Sequence, residues 1–89
     1  MKKDEVWLVT GSSTGFGRAL VEELIAQDYK VVATARQLST LSELPDKENI
    51  LKISLDVTKG DSIQKAVAET IAKFGRIDVL VNNAGFGYF

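Results

Sequence analysis

The stretch Val6-Trp7-Leu8-Val9-Thr10-Gly11-Ser12-Ser13-Thr14-Gly15-Phe16-Gly17 decides how the rest of this chain is read. Val6 to Thr10 is an apolar, strand-type run that Gly11 ends. From Phe16 to Asp28, Ala19, Leu20, Leu24 and Ile25 recur at helical spacing, while Arg18, Glu22, Glu23 and Gln27 fall mainly elsewhere. A strand that turns straight into a helix leaves free N–H groups at the helix start, aimed out of the carboxyl edge of the sheet. Those donors and the helix dipole favour an anion there, a pyrophosphate above all. Gly11 permits the tight turn, Gly15 lets phosphates approach the backbone, and Gly17 allows the helix to pack closely. The spacing is G-x-x-x-G-x-G rather than G-x-G-x-x-G. It also fails the G-x-x-x-x-G-K-[ST] phosphate loop, because Phe16 occupies the required glycine position and Arg18 follows Gly17. A glycine-rich turn with no ligand is the plain alternative, and the position at a strand-to-helix junction weighs against it.

Outward from this loop, strand and helix patterns alternate. Lys30 to Thr34 reads as a second strand, continuous in Val31-Val32-Ala33 as expected where both faces are covered. Leu38, Leu41 and Leu44 predict a short helix stopped by Pro45. In the third strand Leu51, Ile53 and Leu55 alternate with Lys52 and Ser54, which predicts one face toward water. The longest helix carries Ile63, Ala66, Val67, Thr70, Ile71 and Phe74 on one face. Thr58 or Asp61 is expected to cap it, and Gly75 to end it. Ile77 to Val81 is the fourth strand. The order β-α-β-α-β-α-β predicts an α/β fold, a Rossmann-like doubly wound parallel sheet of order 3-2-1-4, in one partial dinucleotide-binding domain over residues 1–89. The fourth strand would then be an edge although its sequence reads as interior.

The end of the second strand bears on which nucleotide fits. A free ribose 2′-OH is usually held by an acidic residue about 20 residues after the loop, whereas a 2′-phosphate needs an Arg. Here the strand runs Thr34-Ala35-Arg36, with no carboxylate and with a guanidinium able to grip phosphate bidentately. A solvated loop charge is the bland reading of Arg36.

Composition excludes other classes. The chain has 89 residues, 45% hydrophobic and 26% charged, as in an ordinary globular segment. A net charge of −1 gives no basic field for nucleic acid. Without Cys or His there is no disulfide, no thiolate or imidazole metal site and no Ser-His-Asp triad. No run approaches the roughly 20 apolar residues of a membrane span. The expectation is a soluble cytoplasmic protein.

With Thr10-Gly11-x-x-x-Gly15-x-Gly17 in place, the chain resembles the short-chain dehydrogenase/reductase family, and two further motifs carry the resemblance. Leu55-Asp56-Val57-Thr58 looks like the family's third-strand Asp-Val, which implies that the Asp56 carboxylate and the Val57 backbone meet the adenine. Asp78-Val79-Leu80-Val81-Asn82-Asn83-Ala84-Gly85 matches its fourth-strand Asn-Asn-Ala-Gly motif, implying that Asn83, Ala84 and Gly85 border the adenine ribose. The resemblance covers essentially the whole chain and adds Gly11, Ser13, Thr14, Gly15, Phe16 and Gly17 as the diphosphate loop. Ala35 stands at the acidic position of NAD-preferring members and Arg36 at the basic position of NADP-preferring ones. Thr14 stands where many NADP-dependent members carry Lys or Arg, so the expectation of NADP(H) over NAD(H) rests mainly on Arg36, helped by the Ser13 hydroxyl.

The resemblance also implies a carbonyl/alcohol oxidoreductase that uses a Ser, a Tyr and a Lys four residues after that Tyr. Tyr29 is followed four positions on by Ala33, and only Phe89 follows Tyr88, so no catalytic residue is expected here. The nucleotide-binding part of an enzyme is thus expected, inactive by itself. A non-catalytic NADP(H)-binding or interaction module is the alternative. An FMN-binding flavodoxin-like domain, suggested by Ser12-Ser13-Thr14-Gly15, is disfavoured by the Asn-Asn-Ala-Gly ending. With the Ile63–Phe74 helix alone on one sheet face, apolar surface and a free strand edge predict a homo-oligomer or a missing C-terminal half.

Overall fold

The computed structural model describes residues 4–83. Four strands, β1 (Val6–Val9), β2 (Lys30–Ala35), β3 (Ile50–Ser54) and β4 (Val79–Val81), form one parallel sheet in the order β3-β2-β1-β4. Helix α1 (Gly15–Ala26) joins β1 to β2. A 3-10 helix (Leu38–Leu41) lies between β2 and β3, and α2 (Gly60–Phe74) between β3 and β4. The order 3-2-1-4 is the expected one, and the alternation of side chains along each strand distributes the core over two faces.

On one face Val9, Val31, Ala33 and Ala35 are sealed by Val21 and Leu24 of α1 and by Leu41 and Leu44. Trp7 and Tyr29 close this layer at its edge, their rings 6.0 Å apart and edge-on. The buried indole N–H of Trp7 has no acceptor among the described residues. Leaving such a donor unmade costs roughly 1–3 kcal/mol. On the other face Val6, Leu8, Val32, Ile53 and Leu55 meet Ala66, with Phe74 and Ile77 packed against them.

Three expectations need correction. Neither Thr58 nor Asp61 caps α2. The helix starts at Gly60 after Lys59, with no side-chain cap, because the Thr58 hydroxyl is bonded instead to the Asp56 carboxylate at 2.6 Å. Gly75 does end it, at φ 81, donating to the Ile71 carbonyl. Lys52, expected to face water, is largely covered. Its ammonium donates to the Leu44 carbonyl at 2.6 Å and pairs with Asp46 at 3.0 Å, tying the turn after the 3-10 helix to β3. Finally, the short helix expected through Leu44 ends at Leu41, and a single turn bond from Leu44 N–H to Leu41 carbonyl continues it.

β4 is an edge among the described residues. Leu8 of β1 is 3% exposed, yet its register partner Leu80 is 63% exposed. The strand is held to β1 at its start by Asp78, whose N–H donates to the Val6 carbonyl while its carboxylate accepts the Val6 N–H at 2.8 Å. The Arg76 guanidinium holds the other carboxylate oxygen at 2.6 Å, and together these donors keep the Asp78 pKa below its ordinary value.

Candidate nucleotide site

At the carboxyl rim of the sheet, β1 gives way to the glycine turn. Gly11 takes φ 64 and Gly15 takes φ 64, a left-handed backbone that L side chains rarely adopt. Thr14 stands just ahead of α1 with an extended backbone (φ −145, ψ 166), and its side chain makes no capping hydrogen bond. The first-turn amides of α1 therefore receive no acceptor from the residue that usually supplies one. A Cβ built on Gly15 would meet nothing within 4 Å, so the space over the turn is open on its ligand side.

Gly17 is needed for a different reason. It is buried, and a Cβ there would overlap the Gly11 carbonyl oxygen and stand 2.7 Å from Asn83 Nδ2. The close approach is thus between the helix start and the turn itself, with the end of β4 alongside. Asn83 fits this gap, donating from Nδ2 to the Gly11 carbonyl at 3.3 Å, while its backbone N–H donates to Thr10 Oγ1 at 2.7 Å. Thr10, placed by the sequence at the end of the first strand and the start of the glycine motif but given no role of its own, thereby links β1 to the residues after β4.

An open cleft of about 890 Å³ runs along this rim. Gly11, Ser13, Thr14, Gly15 and Phe16 line it at the end of β1, Arg36 and Asp56-Val57 at the ends of β2 and β3, and Asn83 lines it on the β4 side, bonded to the turn. Gly17 underlies the wall without lining it, and Ala84 and Gly85 lie outside the described residues. Phe16 is 66% exposed, presenting its ring at the cleft mouth. Sequence reasoning missed Gln37, Thr40 and Thr58, which also line the cleft. For Thr58 a signal existed, since an Asp followed two residues later by a bonded backbone N–H is an Asx turn.

Charge in the cleft comes from two side chains. Asp56 accepts from Thr58 Oγ1 at 2.6 Å and from the Thr58 N–H at 3.0 Å, and these bonds hold its pKa below the usual carboxylate value. It is an anion at neutral pH. Arg36 is exposed at the end of β2, and its guanidinium has no hydrogen-bonded or ion-paired partner among the described residues. The other two arginines are engaged: Arg18 with Glu22 and Glu43, Arg76 with Asp78 and Asp4. Among the described residues, no cluster of His, Cys, Asp and Glu could hold a metal ion, and no helix is long and apolar enough to cross a membrane.

A parallel sheet ordered β3-β2-β1-β4, crossed by helices on both faces and carrying an uncapped helix start at its carboxyl rim, is a Rossmann-like fold. The sequence profile of the short chain dehydrogenases matches residues 5–88, and the chain belongs to that family. It is 41% identical over 80 residues to a Shigella flexneri protein named NADP-dependent 3-hydroxy acid dehydrogenase YdfG, covering 88% of this chain and 32% of that one. A short-chain dehydrogenase from Streptomyces avermitilis superposes with a TM-score of 0.84 at 46% identity, over 94% of this chain and 32% of its own. A 3-ketoacyl-(acyl-carrier-protein) reductase from Brucella melitensis complexed with NADH superposes with a TM-score of 0.84 at 32% identity, over 93% of this chain and 35% of its own. The chain spans about a third of the length of the curated relatives it matches.

Proposed function

We propose that this chain is the NADP(H)-binding N-terminal portion of a carbonyl/alcohol oxidoreductase, with residues 1–89 forming one partial dinucleotide-binding unit. The observation that carries the reading is Arg36, the arginine of the cleft, whose guanidinium feels the Asp56 carboxylate only through space and makes no hydrogen bond or ion pair among the described residues, while Arg18 and Arg76 are both committed. A guanidinium held at the end of β2 suits a 2′-phosphate, which it can grip through two parallel bonds. Ala35 beside it offers no carboxylate to a free 2′-hydroxyl. The Shigella flexneri relative's name supports this choice. The NADH complex of the Brucella melitensis reductase means that membership of the family does not make it alone.

The roles are those that the family resemblance implies, laid onto the residues that line the cleft. The turn residues Gly11, Ser13, Thr14, Gly15 and Phe16, with the uncapped amides of α1, surround the diphosphate. Gly17 keeps that helix start tight against the turn. By the same resemblance the Asp56 carboxylate and the Val57 backbone would face the adenine and Asn83 would border its ribose, with Ala84 and Gly85, outside the described residues, assigned to the same motif. A bound nicotinamide dinucleotide supplies hydride chemistry to a carbonyl or alcohol. The Ser and Tyr-x-x-x-Lys that serve this chemistry in the family are not among these residues, so nucleotide binding is the part of the activity proposed for them. A cytoplasmic location belongs to the same reading and rests on composition.

Calorimetric titration with 2′,5′-ADP and with 5′-AMP, which differ only by the 2′-phosphate, tests it. The 2′-phosphate is expected to tighten binding roughly ten- to a hundredfold, the worth of a charge-assisted bidentate pair. Arg36→Ala should erase the difference. Equal affinities in the parent chain would refute the role of Arg36.

A further inference from the structure

The β1–β2 ladder ends with the pair Val9 and Ala33, because Gly11 then turns the chain out of the sheet. An ordinary ladder would leave the next groups of β2 unpaired on this side. Instead Ser12, fully buried, comes back to meet them. Its N–H donates to the Thr34 carbonyl at 2.8 Å, and its hydroxyl accepts the Thr34 N–H at 3.2 Å while donating to the Val9 carbonyl at 2.8 Å. The Thr34 hydroxyl donates to the same Val9 carbonyl at 2.9 Å. These four bonds lie among groups with almost no exposure, where unpaired donors and acceptors are costly and paired ones are held rigidly.

Ser13 and Thr14, which line the diphosphate side of the cleft, follow Ser12 directly. Arg36 lies two residues past Thr34. Both halves of the cleft are therefore anchored at one point. Resting on the functional reading above, we propose that Ser12 is a positioning residue that fixes the spacing between the diphosphate turn and Arg36, so that a single nucleotide is gripped at both phosphates at once. It acts through Thr34 and touches no ligand itself. Two contacts held at a fixed spacing reinforce one another, and loosening the anchor removes the reinforcement before it removes either contact.

The test is the affinity ratio of 2′,5′-ADP to 5′-AMP, measured on the full chain and on Ser12→Ala, alongside thermal melts. Ser12→Ala leaves the Thr34 amide without its acceptor and is expected to shrink the ratio by about tenfold, a loss of coupling of about 1.4 kcal/mol. Val6→Ala, a truncation at the amino end of β1 and so away from the carboxyl rim, should lower the melting temperature and leave the ratio within about twofold of the parent. If Ser12→Ala does not fold, Ser12→Cys, whose sulfur is a weaker acceptor, carries the same comparison. A parent ratio near one overturns the Arg36 reading and this inference with it. A high parent ratio that persists in the folded Ser12 variant overturns this inference alone.

Discussion

The two faces of the sheet are built from similar strands and finished differently. On the α1 face every core position of β1 and β2 is covered, and Leu41 and Leu44 extend the cover beyond the helix. On the α2 face, among the described residues, a single helix lies over the sheet and uses only part of its apolar surface. Ala66 and Thr70 face inward and are buried, while Ile63, Val67 and Ile71, four residues apart along the same helix, are more than 40% exposed. Leu80 on the edge strand is left open on this same face. Helical periodicity states how wide an apolar stripe is. How much of it finds a neighbour depends on what else packs there.

This difference predicts unequal costs for equal truncations. Leu41→Ala, which empties a fully buried site on the closed face, should cost roughly 2–5 kcal/mol in urea denaturation. Ile71→Ala on the open face should cost under about 1 kcal/mol. Comparable losses at the two positions would break the contrast. A second expectation concerns association rather than stability: Ile71→Lys should reduce self-association in sedimentation or light scattering while leaving the melt nearly unchanged. An unaltered assembly profile would show that the exposed stripe does not drive association. The smallest effect belongs to the open edge and to acid. The Asp78 pKa is lowered in the fold by Arg76 and by the Val6 N–H, so its stabilising contribution is complete above the ordinary value of 3.8 and disappears as pH falls through the lower folded value. The stability difference between the parent and Asp78→Asn, followed by melts at decreasing pH, should shrink below 3.8. A constant difference would assign the role of Asp78 to shape rather than charge.

Much of the architecture was legible because apolar pattern and turn chemistry agree. The continuous Val31-Val32-Ala33 run marked an interior strand, Gly75 marked a helix end, and the alternation of elements fixed the sheet order. The start of α2 was not legible: Thr58 suits a cap equally well as a partner for Asp56, and only the geometry of the turn decides. Lys52 was misread because alternation assigns a charged residue to water. A four-carbon stem can instead lie against the sheet while its ammonium finds a carbonyl. In the cleft, the glycines, Arg36 and Asp56 were readable from local motifs. Ser12 was not, since its partners lie on another strand and no spacing rule points to them. Thr10 was missed for the same reason, its link to Asn83 spanning most of the chain.

The chain's one tryptophan lies in the layer that α1 seals, edge-on to Tyr29, with its indole N–H out of contact with any acceptor among the described residues. An indole so placed makes a one-sided optical probe. Its emission should shift to longer wavelength when the α1 layer opens and water reaches the ring, and should stay nearly silent while α2 loosens on the far side. Read beside far-ultraviolet circular dichroism, which senses both helices, that single chromophore can time the opening of the two layers separately.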